Sequence, residues 1–337
     1  MFYLISLYVS VIVFIIVVSF GNKFDHSIIL LSVAVALSSA GHYCVSVATG
    51  HEELLMAIKL SYVTGIYAPM LTFIVICTIC RIRIPGVIRL IMVSIQTVLY
   101  AGVFSIGRYP LFYKSVDLIV NGTERYLKKS YGPFHTMYLV TMVFYVFASV
   151  VVALMALKKK NTVSRFNVEI ILLSLALTVT LYLVERFTRL DVELMPGAFA
   201  VSMCLILVPL VRIYTYSVYD NEDFVDERWG GTGYIVFDRK LKYMGCNDFA
   251  TQLFPELKEW EIEKKIPGNG GRFNTFLRQP LMTYVNSQEK DANVTRSYEH
   301  QGENYNCEIG PLRSRRKQVI GYYVQVNNIT ELIKGQG

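Results

Sequence analysis

Leu194–Asp238 reads LMPGAFAVSMCLILVPLVRIYTYSVYDNEDFVDERWGGTGYIVFD. Its first 24 residues hold one charge, Arg212, and are long enough to cross the hydrocarbon core of a bilayer. Asp220, Glu222, Asp223, Asp226, Glu227 and Arg228 then crowd into nine residues, and Tyr234–Phe237 opens a β-like run. An apolar helix thus gives way to an acidic connection and then to a strand. The stretch divides the chain into a membrane half and a soluble half.

Upstream of it, six more stretches meet the same length criterion, at about 2–20, 27–48, 56–80, 86–106, 134–157 and 166–184, with the seventh at 194–217. The first lacks the basic flank and small-residue cleavage site of a signal peptide and reads as a retained signal anchor. Downstream of Tyr219, no run is long and apolar enough to span. Charge follows the same division. Residues 1–218 carry 17 Lys/Arg against 9 Asp/Glu, and residues 219–337 carry 16 against 17, so the net charge of +7 belongs to the membrane half. Basic loops beside anionic lipid account for it, and no nucleic-acid partner is expected. The expected domains are 1–218 (seven-helix bundle), 219–229 (stalk), 230–331 (soluble domain) and 332–337 (tail).

Seven crossings place the two ends on opposite sides. With the amino terminus outside, the inner loops Gly21–Ser27, Arg81–Arg89 and Leu157–Arg165 hold eight basic residues in 25 and one acid, Asp25. The outer loops hold seven basic residues in 43 and most of the acids. This is the bias of the positive-inside rule. The expectation is a multi-pass cell-membrane protein with its soluble half in the cytoplasm.

Ionisable side chains within membrane helices are costly and often functional. His42, Tyr43, Lys59, Tyr62, Glu185 and Arg186 all fall in the outer half of the bundle. They form the candidate ligand-binding set, for a small-molecule or membrane-borne signal. The competing reading is interfacial anchoring and hydrogen bonding between helices. The seventh stretch contains no lysine, so a retinal Schiff base has no partner there. It reads Val208-Pro209-Leu210, and the third stretch ends Cys80-Arg81-Ile82-Arg83; neither carries the signature of an animal-type G-protein-coupled receptor. Cys77 and Cys80 have CxxC spacing without a second ligand pair, which reads as packing and not as a metal site.

Lys59-Leu60-Ser61-Tyr62 with Gly65 and Pro69, Tyr131-Gly132-Pro133, and the Leu190-Asp191 and Pro196 region carry a resemblance. Residues 1–218 resemble the seven-helix sensor region at the amino terminus of many bacterial histidine kinases and diguanylate cyclases. The resemblance implies a sensor of signals outside or within the membrane, and names no ligand.

In the soluble half, Tyr234–Phe237 and Leu241–Cys246 read as strands joined by the Asp238–Lys240 turn. Asn247 reads as the N-cap of a helix bearing Phe249, Leu253 and Leu257. Pro267–Gly271 reads as a loop, Tyr305, Cys307 and Ile309 alternate as in a half-buried strand, and Val319–Val326 is a last strand preceded by the basic turn Arg313–Lys317. This order, with Asn328-Ile329-Thr330-Glu331 near the end, resembles a PAS domain over about 230–331. Asn328 stands where the family carries an acid that helps couple its last strand to a following helix. The fold class expected is therefore an all-α seven-helix transmembrane bundle followed by an α/β PAS-like domain, an antiparallel sheet with flanking helices.

No cofactor or metal is expected. Cys246 is followed by Asn-Asp and not by the arginine of a flavin-adduct motif, and His300 falls in a strand, where an axial haem ligand is not expected. No phosphoacceptor histidine motif, nucleotide-binding glycine box or Gly-Gly-Asp/Glu-Glu-Phe motif occurs, so no enzymatic activity is expected of this chain. The expected function is a membrane sensor acting on a separate effector, with a homodimer formed through the stalk and PAS domain. The alternatives are the sensory part of a truncated kinase or cyclase, and a small transporter, for which neither an internal repeat nor a midplane charge is found.

Overall fold

The structure, a computed structural model, describes residues 1–20, 25–121, 124–158, 163–188, 192–216, 232–268, 271–286, 293–300, 302–313 and 318–330. The chain forms two compact units, Met1–Ala156 with Asn167–Leu210, and Leu157–Phe166 with Val211–Gly337. The expected stalk and tail lie outside the described residues, as do most of the basic turn at Arg313–Lys317 and parts of two of the loops expected to be inner.

Seven helices carry the apolar sequence: α1 (Phe2–Ser19), α2 (His26–Val47), α3 (His51–Ile79), α4 (Gly86–Val103), α5 (Pro133–Leu157), α6 (Arg165–Thr188) and α7 (Met195–Thr215). Each is long and apolar enough to cross a membrane. The third begins earlier than its apolar run. Glu53 turns back to accept hydrogen bonds from the Thr49 and Gly50 amides at 3.2 and 3.3 Å, satisfying donors that precede the first turn.

Helix α1 departs from the pattern of a soluble protein. In α1 the buried positions include Ser6 and Ser10, while Ile5, Ile12 and Ile15 are more than half exposed. Lipid is as good a solvent for isoleucine as a protein core is. Helices therefore associate through small residues that allow close approach and through hydroxyls that hydrogen-bond across the seam. The α1–α2 seam has Ser10 Oγ and Ser39 Oγ 2.9 Å apart. At α2–α3, Ser38 Oγ donates to the Ser61 carbonyl at 2.5 Å, and Thr64 Oγ1 donates to the Ala34 carbonyl at 2.7 Å. At α6–α7, Thr178 Oγ1 and Ser202 Oγ lie 2.7 Å apart.

The connection between α4 and α5, expected as a plain loop, contains a two-stranded antiparallel hairpin, β1 (Tyr113–Asn121) and β2 (Glu124–Tyr131). Asn121 pairs with Glu124 across its end. Its return to the bundle explains the Tyr-Gly-Pro motif. The Gly132 amide donates to the Phe112 carbonyl at 2.9 Å, and a Cβ at Gly132 would stand 2.2 Å from the Leu111 carbonyl oxygen. Pro133 then opens α5 at the first helical position, where its missing N–H costs nothing.

The second unit is built on a five-stranded antiparallel sheet in the order β4-β3-β7-β6-β5, from β3 (Thr232–Asp238), β4 (Tyr243–Cys246), β5 (Val294–His300), β6 (Glu303–Arg313) and β7 (Val319–Asn328). Helices α8 (Asp248–Leu253) and α9 (Gly271–Asn286), with a 3-10 turn at Pro255–Glu259, flank it. One face packs Ile235, Phe237, Val324 and Val326 against Trp260, Leu277 and Leu281, and Tyr234, Val236 and Tyr323 are buried on the other. Burial on both faces is why Tyr234–Phe237 is a continuous apolar run and not an alternating one. Asn247 caps α8 as expected, accepting from the Ala250 amide at 3.0 Å, and it also ties the helix to β3 by accepting from the Tyr234 amide at 2.9 Å. The helix itself is shorter than expected because Pro255 ends it. Leu257 falls on the 3-10 turn instead.

Asn328 ties the end of β7 to its neighbours. Its Oδ1 accepts from the Thr330 amide at 3.0 Å, and its Nδ2 donates to Glu303 at 3.0 Å, a bond no carboxylate could make. Cys246 and Cys307 are buried in the core, and burial pushes the Cys307 thiol up to about 12.

Candidate functional site

Charged and aromatic side chains gather at the end of the bundle that bears the amino terminus, the hairpin and the α6–α7 connection. Their centre is Glu193, in the short segment that leads into α7. Glu193 Oε1 receives the Lys129 ammonium at 2.5 Å, and Oε2 lies 3.0 Å from His42 Nδ1. The Glu193 amide donates to Tyr3 Oη at 2.9 Å, and the Tyr3 ring stacks on His42. One residue is thus held by α1, α2 and β2 together.

Burial alone would raise the Glu193 carboxyl, but the Lys129 ammonium and the hydrogen-bonded His42 overcome it and hold the group well below the usual carboxylate range. Burial would likewise lower the Lys129 ammonium, and the Glu193 carboxylate reverses this, leaving it above the ordinary lysine range. Both partners are therefore held in their charged forms.

Beside this pair, Glu185 Oε2 accepts from the Leu194 and Met195 amides at 2.7 and 3.2 Å. These are donors at the start of α7 that lack intrahelical partners, and a carboxylate there is also favoured by the positive end of the helix dipole. Arg186, next in sequence, donates to Tyr131 Oη at 3.0 Å and lies over that ring at 5.2 Å. Tyr131 and Lys129 are two apart on β2 and so share one side of the strand. Tyr131 stacks on His135 at 4.0 Å. Edge-on contacts continue through Tyr113, Tyr62, Phe112 and Tyr138, and the Tyr62 and Tyr113 hydroxyls are hydrogen-bonded to one another.

Of the residues expected from the sequence, the structure brings His42, Tyr62, Glu185 and Arg186 into this assembly. Tyr43 is half-buried, and its carbonyl accepts from Ser46 Oγ within α2. The Lys59 carbonyl accepts from Tyr100 Oη at 3.4 Å, and among the described residues its ammonium forms no ion pair. Sequence reasoning missed Glu193, Lys129, Tyr113, Tyr131 and His135. No group of three or more His, Cys, Asp or Glu side chains that could hold a metal occurs among the described residues.

The geometry is that of an interlocked ionic and aromatic clamp on the entrance to α7. A family model described as the N-terminal 7TM region of histidine kinase matches residues 2–218. The chain belongs to this family. The motif residues that carried the resemblance line the same structural features: Ser61 lies on the α2–α3 seam, Tyr62 in the aromatic cluster and Gly132 at the hairpin's return. No curated protein matches the chain. Among solved structures, the PAS domain of the histidine kinase ThkA is similar to its soluble part, at 15% identity and a TM-score of 0.23, over 28% of this chain and 97% of that one.

Proposed function

We propose that the chain is a sensor in which a signal acting at the hairpin end of the bundle alters the clamp on α7, and α7 passes the change toward the PAS-like domain. The observation that carries this reading is the doubly held entrance to α7. Glu185 caps its first amides, and Glu193, immediately before them, is ion-paired to a strand of the hairpin. Anything that competes for Lys129, Glu193 or His42 alters the constraint on the helix that leads to the soluble half. A signal can shift such an equilibrium only by its different affinity for the held and released states. An ionic solute, or displacement of the hairpin by a larger ligand, would meet that condition. The basic bias of the loops expected to be inner supports a cytoplasmic soluble half, which acts on a separate effector.

Hydrogen–deuterium exchange on the full chain in nanodiscs tests the coupling. Lys129→Ala is expected to speed exchange around residues 192–200 and also in strands β3 and β7. Faster exchange confined to the hairpin and the bundle end would overturn transmission through α7. A reporter fused after Tyr219 tests orientation separately. It is expected to behave as cytoplasmic, and activity on the outer side would reverse the assignment.

A further inference from the structure

Among α2, α3, α5, α6 and α7 lies a cavity of about 710 Å³, lined by Val35, Pro69, Val146, Leu175, Phe199 and Met203, among others. This volume is typical of small-molecule sites. It is set apart from the ionic clamp by its chemistry. No Lys, Arg, His, Asp or Glu side chain lines it.

Three features define what it would hold. First, its lining runs lengthwise, from Met142 to Val150 on α5 and from Met195 to Ile206 on α7. At a rise of 1.5 Å per residue these walls are about 12 and 17 Å long, which suits a chain lying along the helices. Second, side chains on its rim, Val143, Phe147, Val179 and Leu183, are exposed on the surface that faces lipid. The way in is therefore through the bilayer. Third, its polar groups are uneven. Ser174, Thr178 and Ser202 satisfy one another across α6 and α7. Ser149, on α5 at 1% exposure, lines the cavity, and among the described residues its Oγ has no hydrogen-bond partner. Serines in helices often bond back to a carbonyl one turn earlier; Ser149 Oγ does not among the described residues, and a rotation of its side chain is needed to present the hydroxyl to an occupant.

We propose that this cavity binds a neutral single-chain amphiphile drawn from the bilayer, an alkyl or acyl chain carrying a hydroxyl, ester or amide that pairs with Ser149. An ionised carboxylate or phosphate is excluded, because it would be buried without a counterion. Since α7 forms one wall, occupancy would set the separation of α6 and α7 alongside the clamp, which the cavity adjoins at Met195.

The test uses the full chain in nanodiscs and a long-chain alkyl alcohol bearing a diazirine. Light-induced labelling is expected to saturate, to map to residues 142–150 and 195–206, and to be competed by the unlabelled alcohol. Val146→Phe, which fills the space, is expected to cut this labelling about tenfold, the scale of a steric misfit in an apolar pocket. Leu154→Phe, on the lipid-facing side of α5 outside the cavity, is expected to leave it unchanged. Ser149→Ala, which removes only the hydroxyl, is expected to weaken competition by the alcohol but not by an alkane of equal length. Non-saturating labelling spread over all lipid-facing surfaces would show annular lipid alone and overturn the proposal. So would saturable labelling indifferent to both Val146→Phe and Ser149→Ala, or stronger competition by a fatty-acid anion than by the alcohol.

Discussion

Replacing Glu193 with alanine is expected to destabilise the membrane unit by about 1–3 kcal/mol, read as a lower unfolding midpoint in nanodiscs. Breaking a fully buried pair by removing one partner costs roughly 3–5 kcal/mol. Glu193 is 35% exposed and Lys129 17%, so solvent screening reduces that figure. The loss arises from what is left behind, a largely buried ammonium that has lost its ion-pair partner. Removing both charges together, as Lys129→Met with Glu193→Met, is therefore expected to recover much of the loss, with a coupling of about 1 kcal/mol or more in a cycle built on the two single methionine variants. Simple additivity of the two single losses would mean that the pair contributes nothing.

The same pair fixes a pH dependence. Glu193 titrates below its unfolded value, so its contribution is complete above the ordinary glutamate pKa of about 4.3 and is lost as pH falls through the lower folded value. Lys129 titrates above its unfolded value, so its contribution is complete below about 10.4 and is lost as pH rises through the higher folded value. The pair is then constant across the neutral range and fails only at the extremes.

How much of this was legible depends on the range over which each signal acts. The seven helices are local statements, about twenty apolar residues each, and their expected bounds differ from the observed ones mostly by a few residues. His42, Glu185 and Arg186 stand out for the same reason, since an ionisable group inside an apolar run is conspicuous. Lys59 gives the same signal with a different outcome: among the described residues its ammonium forms no ion pair, and a lysine stem is long enough for the head group to snorkel. Glu193 and Lys129 are invisible in this way. Each sits in a polar connection where charge is unremarkable, and their pairing spans 64 residues. The hairpin did leave a trace. Asn121-Gly122 between two runs of β-forming residues is a strong turn signal, but the charges of Glu124–Lys129 gave the segment the composition of a loop. Helix α9 was hidden by Pro280 and its polar surface, although Leu277, Leu281 and Tyr284 are buried at helical spacing.

Replacing Gly41 with alanine is expected to be among the most damaging single substitutions in the bundle, costing about 1–3 kcal/mol by overpacking, and Gly41→Leu more. A Cβ at Gly41 would stand 2.4 Å from the Ser61 amide nitrogen and 2.8 Å from the Ser61 Cα. The obstacle is backbone, so no rotamer change relieves it, and α2 and α3 must move apart. The movement stretches the two hydroxyl bonds that flank the contact, Ser38 to the Ser61 carbonyl and Thr64 to the Ala34 carbonyl. It also displaces His42, the next residue, from Glu193. Gly86 is the matched control. It opens α4, and a Cβ there would meet nothing within 4 Å, so Gly86→Ala is expected to be neutral or to stabilise by up to about 1 kcal/mol through helix propensity. Unfolding midpoints of the two variants in nanodiscs should move in opposite directions or, at the least, differ by more than 1 kcal/mol. Equal midpoints would mean that the α2–α3 seam tolerates separation. The clamp on α7 would then not depend on the close packing that positions His42.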